Sequence, residues 1–232
     1  MGICRYLAMT RSEQESFSLP EGYDRAYMAC HFSPYSTGLS NIPGYLPENS
    51  MLMVNDRTPF HGHDPQRIAE QLLAAYEQLD FCCLLLDLER QDPDYPKLCQ
   101  SIAERLPCPV GISHTYGGEL PCAVFLPPVP MDMTLRDYLA PWQEREIWLD
   151  IAAQTVRVSV TEEGSRFSPM AASSPPRNAF FDEETRCHYR SEILDDRIDF
   201  YLWRDLESLI EEANTLGVAR CIGLYQELYM DK

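Results

Sequence analysis

Two acidic residues, Asp87 and Glu89, stand at the end of the most apolar run of the chain, residues 81–88. Side chains alternate along a strand, so the two carboxyl groups face the same side, about 7 Å apart at a rise of about 3.3 Å per residue. Neighbouring carboxylates oppose each other's ionisation, so one is expected to stay protonated near neutral pH while the other stays charged. The pair therefore predicts general acid catalysis. In the alternative, Asp87 caps a loop and Glu89 pairs with a surface arginine, Arg90 or Arg57.

The pair must be positioned by strands that alternate with helices, a pattern typical of a largely parallel sheet. The clearest helix covers residues 63–79, with Asp64 as its N-cap and Pro65 at its first helical position. Further helices are predicted at 94–106, 133–144 and 206–216. Strands are predicted at 4–9, 25–32, 51–55, 81–88, 109–113, 122–126, 146–151, 199–203 and 219–225.

The strand count and the length of 232 residues fit a single (β/α)-barrel domain of the TIM type covering residues 1–232. Its helices are reduced, and an insertion of β-hairpin type is predicted near residues 154–194. An open doubly wound sheet is the alternative fold, but no Gly-rich phosphate loop follows the first strand. In a barrel, Asp87 and Glu89 would lie at the carboxyl end of their strand, where active sites are built.

The composition excludes several classes of function. The chain carries a formal charge of −17, so it lacks the basic surface that nucleic-acid binding needs, and anionic membranes would repel it. The nine cysteines are odd in number and have no zinc-type spacing, which indicates small buried residues in a reducing compartment. No secretion signal and no transmembrane run is recognised. The expected location is the cytoplasm.

Other polar and aromatic residues follow the predicted strands and are expected at the same barrel mouth. Rings can stack on the C–H face of a sugar while polar groups fix its hydroxyls. Structural roles in the core are the alternative, especially for the tryptophans and histidines. The predicted substrate-binding residues are Asn55, Arg57, His114, Tyr116, Asp150, Trp203 and Tyr225, with His31 and Asp56 nearby.

The stretch from residue 51 to residue 90 resembles the third strand, helix and fourth strand of family-18 glycoside hydrolases, the chitinase-like barrels. Their motif has the form Asp-Gly-x-Asp-x-Asp-x-Glu, and its final Asp-x-Glu matches Asp87-Leu88-Glu89. The resemblance implies that Glu89 protonates the leaving glycosidic oxygen and that Asp87 orients the acetamido group of the substrate. Residues 217–228 resemble the last barrel strand of that family, with Tyr225 in place of the Trp that floors the sugar subsite.

Two departures from the family pattern stand in the same stretch. Leu85 occupies the position of the preceding acid, and Val54-Asn55-Asp56-Arg57 replaces the Ser-x-Gly-Gly of the third strand. The resemblance therefore implies two alternatives. One is a hydrolase of a β-linked, N-acetylated sugar with Glu89 as general acid. The other is an inactive barrel that binds a glycan or a protein, which the departures favour. An unrelated barrel isomerase or lyase would need a phosphate site that the sequence lacks.

The predicted ligand is a small molecule or an oligosaccharide, and no cofactor is predicted. His61 and His63, with Asp56 and Asp64 close in sequence, suggest a metal site, but they lack a third clear ligand and no metal is predicted.

Overall fold

A computed structural model describes residues 2–60, 62–171 and 173–229. Within them, fourteen strands follow one another as β1 (Cys4–Met9), β2 (Asp24–Phe32), β3 (Leu39–Ser40), β4 (Met51–Asn55), β5 (Cys83–Asp87), β6 (Val110–Ser113), β7 (Ala123–Leu126), β8 (Ile147–Ile151), β9 (Thr155–Thr161), β10 (Gly164–Pro169), β11 (Phe180–Asp182), β12 (Cys187–Ile193), β13 (Ile198–Arg204) and β14 (Arg220–Leu224).

The helices of the described residues are α1 (Arg11–Ser16), α2 (Pro65–Leu79), α3 (Tyr95–Arg105), α4 (His114–Gly117), α5 (Leu135–Leu139), α6 (Leu206–Thr215) and α7 (Tyr225–Tyr229), with a 3-10 turn at Ala140–Trp142. Only α2, α3 and α6 exceed two turns, which agrees with the predicted reduction of the helices. As predicted, the Asp64 side chain caps α2 by accepting from the Gln66 backbone N–H. None of these helices combines the length and apolarity needed to cross a membrane.

Eight of the strands close into a ring. The order β1-β14-β8-β7-β6-β5-β4-β2 returns to its start because β1 also pairs with β2, and every pairing in the ring is parallel. The short β3 pairs antiparallel with β2, outside the ring. The prediction of a TIM-like α/β barrel is therefore confirmed.

The inside of the ring is a packed core. Successive residues of each strand alternate between the interior and the helical layer. Gly111 faces inward because it alternates with Val110 and Ile112, which pack on the helical side. The ring of Trp148 fills the space beside it, and a Cβ there would come within 2.2 Å of a ring carbon. The interior residues are Tyr6, Ala8, Ala26, Met51, Met53, Cys83, Leu85, Ala123, Phe125, Trp148 and Ile222.

The insertion is larger than the hairpin that the sequence predicts. Five antiparallel strands form a second sheet in the order β10-β9-β13-β12-β11, which spans Thr155 to Arg204. The predicted strand at residues 199–203 exists, but it pairs with β9 and β12 instead of joining the barrel. Arg204 attaches this sheet to the barrel, since its guanidinium donates to the carbonyls of Val129 and Pro130.

Candidate active site at the barrel mouth

Asp87 ends strand β5 and points into the mouth of the barrel. It has the same parity as Cys83 and Leu85, which lie in the barrel interior. Its side chain is half-buried, whereas Glu89 lies two residues beyond Asp87, past the strand end, and is exposed. The alternation that predicts a shared direction for the two side chains stops at Asp87, because β5 ends there. The two carboxyl groups also differ in their exposure to water.

Burial raises the pKa of Asp87 to about 6, and the charges of Glu89 and Asp56 add to this effect. Asp150 approaches the same mouth from β8, with the parity of the interior residue Trp148. Burial raises the pKa of Asp150 to about 7, and the next contributions are the charges of Asp87 and Glu227. The charge of Asp87 opposes ionisation of Asp150. Near pH 6 to 7 the mouth therefore offers both a protonated and a charged carboxyl group, which is the requirement for acid–base chemistry.

The end of β5 is held by a hydroxyl group on the next strand. Ser113, the last residue of β6, accepts a hydrogen bond from the Leu88 backbone N–H at 2.8 Å and donates to the Leu86 carbonyl at 3.2 Å. These two bonds bracket Asp87, so they hold the backbone on both sides of it. The sequence interpretation missed Ser113, although a hydroxyl residue at the end of a neighbouring strand is a readable signal.

The residue after Glu89 is clamped from the other side. Buried Asp56, directly after β4, accepts from the Arg90 backbone N–H at 2.6 Å and from the Tyr95 hydroxyl at 3.2 Å. The Tyr116 hydroxyl donates to the Arg90 carbonyl at 2.6 Å. Tyr116, predicted to bind substrate, and Asp56 thus anchor the loop that carries Glu89.

The remaining predicted residues near β4 and β6 lie close to this loop. Asn55 is the register partner of Asp87, and its amide donates to the Met28 carbonyl at 2.8 Å. Arg57 is exposed, and its carbonyl accepts from the Arg90 guanidinium. His114 is also exposed, and its ring meets that of Trp142 edge-on.

The predicted aromatic residues are more enclosed. Trp203 lies on β13 of the inserted sheet, is 8% exposed and donates to the Ser173 hydroxyl. Tyr225 begins α7, is also 8% exposed and packs against the ring of Phe17. It belongs to the cluster between barrel and helices, not to the interior cluster. Its role as the floor of a sugar subsite is untested.

Among the described residues, no group of three or more His, Cys, Asp or Glu side chains is placed to hold a metal ion. His61, one of the two histidines that suggested a metal, lies outside these residues. His31, the other histidine expected near the mouth, has its Nδ1 atom 3.0 Å from the Ala29 carbonyl.

Comparison with known proteins gives a match in fold alone. No family model and no curated protein sequence matches the chain. The spore cortex-lytic enzyme SleL of Bacillus cereus superposes with a TM-score of 0.58 at 9% identity, over 95% of this chain and 70% of SleL. SleL of Bacillus megaterium superposes with a TM-score of 0.55 at 11% identity, over 96% of this chain and 70% of the enzyme. The barrel is therefore of the same type as that of these two enzymes.

Proposed function

We propose that the chain is a glycoside hydrolase-like barrel protein that cleaves a β-linked, N-acetylated sugar at the barrel mouth. In this proposal Glu89 donates the proton to the leaving oxygen, and Asp87 orients the acetamido group. The observation that carries the proposal is the carboxyl group of Asp87, which points into the mouth with a pKa of about 6. A carboxyl group that titrates near neutral pH at the carboxyl end of a barrel strand is typical of a catalytic site.

The two cortex-lytic enzymes support the choice of substrate class. Because both enzymes share this fold and are named as lytic for the spore cortex, cortex material or a fragment of it is the first substrate to test. The other residues proposed to contact the sugar are Asn55, Arg57, His114, Tyr116, Asp150, Trp203 and Tyr225. The proposed location stays the cytoplasm, which favours a short oligosaccharide over an extracellular polymer.

The test compares Glu89→Gln with Glu77→Gln, a matched control on the exposed face of α2. Wild-type protein is incubated with chitooligosaccharides and with muropeptide fragments, and the products are quantified by mass spectrometry. Removing a general acid is expected to lower kcat by about 10²- to 10⁴-fold. Glu77→Gln is expected to match the wild type. If the wild type cleaves and Glu89→Gln retains its rate, Glu89 is not the acid.

An inactive binding module is the second candidate, and a specific observation favours it. Leu85, at the position of the preceding acid, is fully buried in the barrel interior. The mouth would then hold a glycan or a protein without cleaving it. Calorimetric titration with a chitooligosaccharide separates the two candidates. Binding without turnover, weakened by Asp87→Asn and unaffected by Glu89→Gln, would support the binding module.

A further inference from the structure

A group of thiols lies at the other end of the barrel from the mouth. Cys82 comes directly before β5 and is half-buried. It lines a cavity of about 430 Å³ together with Cys108, which precedes β6. Cys82 and Cys108 each lie two residues before the paired residues Leu84 and Val110. Five other cysteines have no such access, because they are buried: Cys30, Cys83, Cys99, Cys187 and Cys221.

Two groups that can donate a hydrogen bond lie within reach of the Cys82 sulfur. The Tyr6 hydroxyl is 3.3 Å from Cys82 Sγ, and Cys83 Sγ is 3.5 Å away. Tyr6 and Cys83 are both buried, so neither is free to turn to water. The Asn49 carbonyl, 3.1 Å from the same sulfur, accepts a hydrogen bond from the thiol form and so favours the protonated state.

The groups around this sulfur shift its pKa in opposite directions. The hydrogen bond from Cys83 is the largest influence. Together with the hydrogen bond from Tyr6 and the charge of Arg220, it outweighs burial and the charge of Asp24 and lowers the pKa of Cys82 below its usual value. Burial raises the pKa of Cys108, the other thiol of the cavity, to about 12. Cys82 therefore differs from the neighbouring thiols in its hydrogen bonds, in its exposure and in the direction of its pKa shift.

We propose that Cys82 is a thiol-modification site, at which a thiolate supported by the Cys83 thiol and the Tyr6 hydroxyl exchanges with small disulfides. The Cys82 sulfur attacks one sulfur of the disulfide RS–SR, a Cys82–S–S–R bond forms, the original S–S bond breaks, and RS⁻ leaves and takes a proton from water. The small disulfide is the oxidant, and no other reactant is needed.

The surroundings of the cavity select the kind of disulfide. Glu48 and Asp80 line it, both are exposed, and Asp24 acts on the Cys82 sulfur. The whole chain carries a formal charge of −17. A cationic or neutral disulfide is therefore favoured over an anionic one.

The first test measures the pH dependence of Cys82 alkylation in the native, reduced protein. The protein is treated with iodoacetamide between pH 5.5 and 9.5, and peptide mass spectrometry quantifies the label at each cysteine. The midpoint at Cys82 is expected clearly below the ordinary thiol value of about 8.5, and exposed Cys4 is the reference within the same chain. Tyr6→Phe, which removes one donor, is expected to move the Cys82 midpoint upward and to leave that of Cys4 in place.

The second test uses cystamine, a cationic disulfide, at pH 7. A single cystamine adduct is expected at Cys82 before Cys4 reacts, and Cys82→Ser is expected to abolish it. The proposal is overturned if the wild-type midpoint at Cys82 lies in the ordinary thiol range, or if Cys4 forms the adduct while Cys82 does not. Both results are read in wild-type protein, so the conclusion does not depend on the folding of Tyr6→Phe.

Discussion

Replacing Asp150 by Asn is expected to stabilise the protein at pH 8 and to have little effect near pH 4. Burial, followed by the charges of Asp87 and Glu227, raises the pKa of Asp150 from 3.8 to about 7. The folded protein thus holds this proton more tightly than the unfolded chain does. The stability that results is fully present below pH 3.8 and is lost as the pH rises towards 7.

The size of the Asp150 effect follows from the same two pKa values. Each pH unit between them corresponds to about 1.4 kcal/mol, so a difference of about 3 units sets a ceiling of about 4 kcal/mol. The Asn side chain keeps an oxygen that can accept from the Ile151 backbone N–H, but it loses the negative charge. We expect a gain of about 1 to 4 kcal/mol in the free energy of unfolding at pH 8.

The assay is urea unfolding of wild type and Asp150→Asn at pH 4, 6 and 8. Asp132→Asn, at an exposed position, is the control for loss of one negative charge from an acidic protein. The difference between Asp150→Asn and wild type should grow with pH, while that of the control should change much less. A difference that is the same at all three pH values would refute a raised pKa at Asp150.

Two further substitutions test the packing that positions the mouth. Gly111→Ala should lower the free energy of unfolding in urea by about 1 to 3 kcal/mol, because its Cβ would meet the buried ring of Trp148. The control is Gly118→Ala, whose Cβ would have its nearest neighbour at 3.7 Å and which should have a much smaller effect. Asp56→Ala removes the acceptor of the Arg90 backbone N–H. It should lower the free energy of unfolding by about 1 to 3 kcal/mol and speed hydrogen exchange at that amide. Unchanged exchange would contradict the role of this hydrogen bond.

The barrel could be predicted because each ring strand carries its own local signal. The apolar run at residues 81–88 and the capped helix at 63–79 correspond to β5 and α2. The inserted sheet was harder to predict, because the strand pattern of residues 199–203 does not indicate which strands they pair with. In the structure they join β9 and β12, and the insertion extends to Arg204. Pairing partners are a long-range property that local alternation does not encode.

The candidate site was also predictable only in part. The position of Asp87 at the carboxyl end of its strand was predicted, whereas its inward direction follows from the parity of β5 in the structure. The hydrogen bonds that hold its surroundings were not predicted, since Ser113 meets Leu86 across 27 residues and Asp56 meets Arg90 across 34. Which carboxyl group has the raised pKa depends on burial and on charges that other parts of the chain supply, such as Asp56 at Asp87 and Glu227 at Asp150. Sequence reasoning expected a protonated acid within the Asp87 and Glu89 pair, without reference to Asp150.

The chemistry of the mouth separates the two candidate functions more sharply than its shape does. A binding module needs hydrogen-bonding groups and aromatic surface, which neutral side chains supply without loss of stability. The mouth instead holds Asp87 and Asp150, whose ionisation near pH 6 and 7 destabilises the folded protein. Active sites commonly retain such groups at the expense of stability, because catalysis requires them. The presence of Asp87 and Asp150 therefore favours the hydrolase. Glu89 is exposed, so a bound sugar would have to cover it before it could donate a proton away from water.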